Sequence, residues 1–239
     1  MCPSEFSGGG EVSNYYAENL SSAKLFQVYD TNIDRVKQYL REEIDFVRRN
    51  VHDHEKVLEL GCGYGRIMKE LAPHVASIMG IDISPDSVRF GEEYLKGCSN
   101  CEIKVMDAHV LQFGPIFDVV LCLQNGISAL KGNESNLIAQ SLKVLVPGGR
   151  AYFSTYSAKF WNHRLAWFHE QADKGLLGEI DMEKTKDGHI VCKDGFVAHT
   201  CRPEDFKELA EQTSYTYLIQ EVDDSSLFLV IEKKKRVSS

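Results

Sequence analysis

Long apolar runs are missing from the 239 residues. Nothing approaches the ~20 consecutive apolar residues that a helix needs to cross a bilayer, which argues against a membrane protein. The first residues, Met1-Cys2-Pro3-Ser4-Glu5, lack the basic start and apolar centre of a secretory leader. Positive charge is also scarce. Lys and Arg number 27 against 35 Asp and Glu, for a net charge of −8, and the basic residues are dispersed except for Lys233-Lys234-Lys235-Arg236 near the end. A protein that wraps nucleic acid gains affinity from a basic face, so RNA and DNA are disfavoured as partners. Paired cysteines are lacking too. Seven is an odd number, and their scatter fits reduced thiols in a cytoplasmic protein better than a disulfide framework. Only Cys98-Ser99-Asn100-Cys101 has metal-like spacing, and no second pair repeats it to complete a four-ligand site, so no metal is expected.

What is present is enough for a full core, with 43% hydrophobic and 26% charged residues. After a helical pattern from Tyr15 to about Asn50, with apolar positions at Ile33, Val36, Tyr39, Leu40, Ile44 and Val47, strand and helix signals alternate. Strands are expected at 56–60, 75–82, 101–106, 117–123 and 150–156, with helices at 65–72, 85–96 and 133–146. Such alternation gives a parallel sheet with helices on both faces. Arg202-Pro203-Glu204-Asp205 opens a further helix, and residues 215–222 and 227–231 read as an antiparallel hairpin around Asp223-Asp224-Ser225-Ser226.

The chemistry concentrates at Glu59-Leu60-Gly61-Cys62-Gly63-Tyr64-Gly65, directly after the first strand. Glycines on alternate positions let backbone approach a ligand where a Cβ would collide, and the following helix start offers free N–H groups. A nicotinamide fingerprint G-x-G-x-x-G needs glycine at 66, where Arg66 stands. Asp82 lies 21 residues beyond Gly61 at the end of the second strand, placed to accept both hydroxyls of a ribose, with Ile83 beside it for an aromatic base. Asp107-Ala108 follow the third strand, where the carboxylate can accept from an amino group on that base.

This acidic-x-Gly-x-Gly-x-Gly run, with Gly80-Ile81-Asp82, Val105-Met106-Asp107 and Pro147-Gly148-Gly149 downstream, resembles motifs I to VI of the class I S-adenosylmethionine (SAM)-dependent methyltransferases. The match is good over about residues 55–156. The resemblance implies a Rossmann-like α/β fold with a seven-stranded, mostly parallel sheet and an antiparallel C-terminal hairpin. It also implies a SAM site built from Glu59, Gly61, Cys62, Gly63, Asp82, Ile83, Asp107, Ala108, Leu123 and Gln124. After the strand 117–123, Gln124-Asn125-Gly126 lacks the proline and aromatic that amino-group methyltransferases of adenine, cytosine and glutamine share, which points to a small-molecule acceptor.

A single methyltransferase domain is expected. Its N-terminal helical cap spans 1–52, its SAM-binding core 53–156 and 201–236, and an inserted cap 157–200 lies between. The insert opens with Trp161, Leu165 and Phe168 on one helical face. It continues with a small hairpin of 179–183 against 189–192 around Asp187-Gly188. Tyr16, Tyr29, Trp161 and Trp167 are candidates for the acceptor walls. In-line methyl transfer needs positioning and exclusion of water more than a base. If a base acts, His163, His169 and Tyr156 are the nearest candidates in sequence, and Asn125 can bond an acceptor or cap the following helix. Two rival readings are a non-catalytic SAM-binding module of the same fold and a methyltransferase acting on protein or RNA.

Overall fold

The computed structural model describes residues 23–234. In chain order the elements are α1 (Ala23–Tyr29), α2 (Asp34–Arg48), β1 (Lys56–Leu60), α3 (Arg66–Leu71), β2 (Ser77–Asp82), α4 (Pro85–Tyr94), β3 (Cys101–Val105), β4 (Phe117–Cys122) and α5 (Gly126–Ala129). They continue with α6 (Glu134–Val144), β5 (Leu145–Tyr156), α7 (Trp161–Asp173), β6 (Ile190–Val191), β7 (Val197–Ala198), α8 (Pro203–Glu211), β8 (Thr216–Val222) and β9 (Ser226–Glu232).

The main sheet has the order β3-β2-β1-β4-β5-β9-β8. The first five strands run parallel, and β9 lies antiparallel between β5 and β8. The expected sheet with its reversed C-terminal strand is therefore the observed one. Strand period decides which residues meet which helices. Along β4, Val119 and Leu121 pack to one side with Val57, Ile78 and Met68, while Val120 and Cys122 pack to the other with Leu58, Leu142 and Phe206. Both faces are apolar because both are covered by helices, which is why β1 and β4 are near-continuous hydrophobic runs. Strand order reverses between β1 and β4, and the crevice at their carboxyl ends is where open α/β sheets bind ligands.

Three local outcomes differ from the sequence expectations. The single N-terminal helical pattern is split between α1 and α2, because side chains take the backbone amides at the break. The Ile33 N–H donates to Thr31 Oγ1 (3.2 Å) and the Asn32 N–H to Glu170 Oε1 (2.9 Å). The Asp187-Gly188 turn forms with both residues at positive φ and a bridge between Lys186 and His189. However, β6 pairs with β7, and the 179–183 segment contributes only the bridge Ile180–Cys192. Finally β5 begins at Leu145, five residues early, through a register irregularity spanning Pro147-Gly148-Gly149.

A third apolar cluster lies beyond the sheet. Tyr39 and Leu40 of α2, Tyr156 at the end of β5, Trp167 and Phe168 of α7, and Phe196 before β7 pack together. The Trp167 indole N–H donates to the Val28 carbonyl (3.1 Å), and Thr31 Oγ1 donates to Glu170 Oε2 (2.5 Å). The N-terminal helices and the insert thus close over the carboxyl edge of the sheet as one packed unit. Among the described residues, no helix is long and apolar enough to cross a membrane.

Candidate active site

A cavity opens at the carboxyl ends of β1, β2 and β4 and runs up to α1 and α7. Counting the open solvent at its mouth, about 1170 Å³ of space free of protein atoms lies within it.

Its floor is the turn after β1. Gly61 and Gly63 both have positive φ (+65° and +56°), and a Cβ would fall 2.8 Å from Leu130 at the first and 2.5 Å from Leu25 at the second. Glycine is required there by conformation and by space. The Gly63 N–H donates to Asp82 Oδ2 and the Ser84 N–H to Asp82 Oδ1, each at 2.9 Å. Burial pushes the Asp82 carboxyl up, and these two amides oppose that shift. One carboxylate therefore ties the glycine turn to the end of β2 and fixes its own direction. Next to it, Ile83 lines the cavity while 46% exposed, an apolar surface on the rim.

Glu59 and Arg66 supply the charges. Glu59 is 3% exposed, accepts from the Met68 amide, and leaves Oε2 without a partner. Burial pushes its carboxyl up to about 8, with the Arg66 guanidinium pulling the other way. Arg66 lies 4.6 Å over the Tyr29 ring, and its Nε and Nη2 are buried without a hydrogen-bond acceptor. The cavity thus presents an unpartnered carboxylate oxygen and an unpartnered guanidinium edge.

At the end of β4, Gln124 and Asn125 both sit in the left-handed region (φ 54° and 62°), uncommon for residues other than glycine. The Gln124 N–H is held by Glu43 Oε2 (3.1 Å) and Ser154 Oγ (2.8 Å). Glu43 is fully buried on α2, and burial pushes its carboxyl up to about 7. Leu123 and Gln124 line the cavity, as expected.

Several sequence candidates lie elsewhere. Asn125 turns away: its Nδ2 donates to the His199 carbonyl (2.9 Å) and its Oδ1 accepts from Thr155 Oγ1 (2.7 Å). It does not line the cavity, and although it stands at the N-cap position of α5 its side chain makes no capping bond. His163 and His169 are exposed on the outer side of α7, because the buried side is set by Arg164, Trp167, Phe168 and Gln171. For the same reason Trp161 is only partly buried and off the cavity, whereas Trp167 lines it. Ala108 is buried in the core. Asp107 is exposed and engaged with the His109 amide (2.8 Å), outside the cavity wall. Tyr29 and Tyr156 do line the cavity, and burial holds both phenols above their usual pKa, which suits Tyr156 to donate a hydrogen bond and not to act as a base. Tyr16 lies outside the described residues. Cys98 and Cys101 are free thiols.

Sequence reasoning missed Arg66, Glu43, Gln171 and Phe196. Arg66 was conspicuous as the residue that breaks a dinucleotide fingerprint, yet its position next to the glycine turn was itself the signal.

Residues 57–149 match the family model described as a methyltransferase domain. Among curated proteins, the ubiquinone biosynthesis O-methyltransferase of Hydrogenovibrio crunogenus is 22% identical over 70% of this chain and 66% of its own length. The chain spans from 44% to 66% of the length of the first such relatives. Among solved structures, a Pyrococcus horikoshii OT3 protein superposes with a TM-score of 0.65 at 21% identity, over 94% of this chain and all of the other. The N-methyltransferase NodS of Bradyrhizobium japonicum WM9, in complex with S-adenosylhomocysteine (SAH), gives 0.57 at 17% identity over 90% and 94% of the two chains. Over residues 57–149 the chain is thus similar to a methyltransferase domain, and the fold as a whole is that of solved neighbours such as NodS.

The residues present fit SAM. The zwitterionic amino acid end of such a ligand would answer both orphaned groups, an ammonium at Glu59 Oε2 and a carboxylate at the Arg66 guanidinium. Asp82 and the Ile83 face suit a ribose and a flat base at the other end.

Proposed function

We propose that this chain binds SAM in the cavity and transfers its methyl group to a small-molecule acceptor. The observation that carries the reading is the coincidence in one cleft of the glycine turn, the Asp82 clamp, and the carboxyl of Glu59 and guanidinium of Arg66, each with polar atoms left without a partner. Glu59 and Arg66 would hold the amino acid end, Gly61, Cys62 and Gly63 would pass it by backbone, and Asp82 would take the ribose. SAM, when bound, supplies an electrophilic methyl on a sulfonium. The chain's part is then to orient the acceptor and keep water out, and the cap formed by α1, α2 and residues 157–200 suits that task. The naming of the curated relatives as O-methyltransferases favours an oxygen acceptor. Among the described residues, His163 and His169 lie off the cavity and burial raises the Tyr156 phenol, so none of these three is placed to act as a general base. An acceptor hydroxyl that ionises by itself near neutral pH fits such a site.

The test is turnover. Incubation of the full chain with SAM and a panel of hydroxylated aromatic, amine and thiol acceptors, with SAH release as readout, should give transfer to members of the hydroxyl class. SAH binding with no transfer to any acceptor class would instead favour a non-catalytic binding module.

A further inference from the structure

Strand order puts Gln124 at the middle of the cavity. In the sheet β4 lies between β1 and β5, so the residues after β4 stand between Glu59 with the glycine turn on one side and Tyr156, at the end of β5, on the other. Beyond Tyr156 the cavity wall is aromatic, with Tyr29, Trp167, Phe168 and Phe196. Gln124 lines the cavity at this junction. Its side-chain Nε2 is buried and has no hydrogen-bond acceptor among the described residues.

The turn that carries this side chain is held in place by buried protein groups alone. Gln124 sits at φ 54°, a conformation that residues other than glycine adopt at a cost and that clusters at functional sites. Its backbone N–H donates to Glu43 Oε2 (3.1 Å) and Ser154 Oγ (2.8 Å), on two fully buried residues. Asn125, the next residue, is tied by its side chain to the His199 carbonyl and the Thr155 hydroxyl. The backbone amide of Gln124 is thus committed to the turn, while the side-chain amide keeps an unused donor.

A buried donor without an acceptor is unfavourable, and a ligand oxygen relieves it. With Glu59 and Arg66 taking the amino acid end of SAM, methyl transfer from the polar half to the aromatic half takes place at their junction, beside Gln124. A hydroxyl oxygen has lone pairs for an N–H donor, and an ionised one forms the stronger, charge-assisted bond. An ammonium has none, and the lone pair of an aromatic amine is drawn into its ring.

We propose that Gln124 determines which nucleophile the acceptor site takes: its Nε2 donates to the oxygen that receives the methyl group, selecting a hydroxyl or phenolate over an amine. The proposal rests on the SAM reading for the place of the donor, and adds the residue and atom that choose the nucleophile. The acceptor reacts as the oxyanion, its proton already lost to solvent. One oxygen lone pair accepts from Nε2 and another forms the bond to the methyl carbon as the carbon–sulfur bond breaks, its electron pair staying on sulfur to give neutral SAH. No proton leaves Gln124.

The probes are 4-nitrophenol and 4-nitroaniline, which share a ring and differ in oxygen against nitrogen. Each is titrated calorimetrically into the full chain with and without saturating SAH, and the visible absorbance of nitrophenolate reports the pKa of the bound phenol. The unmodified chain should bind 4-nitrophenol at least fivefold tighter than 4-nitroaniline. Gln124→Met, which keeps the length and removes the donor, should cut that ratio below twofold and raise the pKa of the bound phenol. Gln124→Glu should raise that pKa further. The charged and titratable groups around the junction, Glu43, Glu59, Asp82, Arg66, Tyr29 and Tyr156, are common to every variant, so the comparison isolates the amide. Gln124→Gly suits the positive φ and should lose the preference in the same way if the Met variant folds poorly. Equal or tighter binding of 4-nitroaniline by the unmodified chain overturns the proposal, as does failure of 4-nitrophenol to bind, or a variant that keeps both the ratio and the pKa. A variant that loses SAH affinity while keeping the probe ratio gives the amide to the methyl donor, and overturns it too. Should the unmodified chain fail to bind SAH, the SAM reading falls, while the titrations without SAH still decide the role of Gln124.

Discussion

Asp82 joins local geometry to ligand chemistry in a single side chain. Its two oxygens accept from the Gly63 and Ser84 amides, so they are aimed before any ribose arrives. Asp82→Ala should lower SAH affinity by ~1–3 kcal/mol, the range for unpairing buried polar groups, as measured by calorimetry. Unchanged affinity would remove the ribose assignment. Glu59 carries a pH signature whose sign is opposite to that of an ordinary salt-bridged acid. Burial raises it from 4.5 to about 8, so between those values the folded chain holds a proton that the unfolded chain has released. Stability then falls as pH rises through that window, by up to ~1.4 kcal/mol per pH unit for the group, and levels off above it. Thermal melts from pH 5 to 8.5 should show a shallower fall for Glu59→Gln, the remainder coming from Glu43, which shifts the same way. A bound ammonium favours the ionised carboxylate. SAH binding near pH 7 should therefore release protons, seen as a dependence of the calorimetric heat on buffer ionisation enthalpy, and Glu59→Gln should abolish that release.

Elements show which parts of the site the sequence made legible. The glycine turn, Asp82 and the strand order could be read because each depends on spacing within a strand-turn-helix unit, which packing cannot move. Side-chain direction on α7 could not be read that way. Its inward stripe is Arg164, Trp167, Phe168 and Gln171, two of them polar, so hydropathy places the stripe instead along Trp161, Leu165 and Phe168, and nearness in sequence alone does not tell that His163 faces outward. Asn125 misled differently: its type fits a helix cap, but the left-handed turn at 124–125 aims it at His199 and Thr155. The split between α1 and α2 depends on Glu170, 138 residues from Asn32, and no local pattern announces such a contact. That contact should matter to the whole cap. Glu170→Ala removes the acceptor of the Asn32 amide and of the Thr31 hydroxyl, and should destabilise the chain by ~1–3 kcal/mol in denaturant titration while speeding hydrogen exchange in α1 and α7. Unchanged exchange in both helices would show that the apolar cluster holds the cap alone.

At the scale of the whole molecule, the two charged groups of the cavity floor and the aromatic wall above them divide one cleft into a polar half and an apolar half. The net charge of −8 works against polyanionic acceptors and leaves small molecules that fit beneath the cap. The central claim is that the polar half is a SAM site whose amino acid end is held by Glu59 and Arg66. Calorimetric titration of the full chain with SAH and with 5′-methylthioadenosine, which lacks that end, tests it most directly. The account predicts one SAH per chain, bound at least tenfold tighter than methylthioadenosine, with the difference largely lost in Arg66→Gln. No binding of either ligand, or equal affinity for the two, would contradict it.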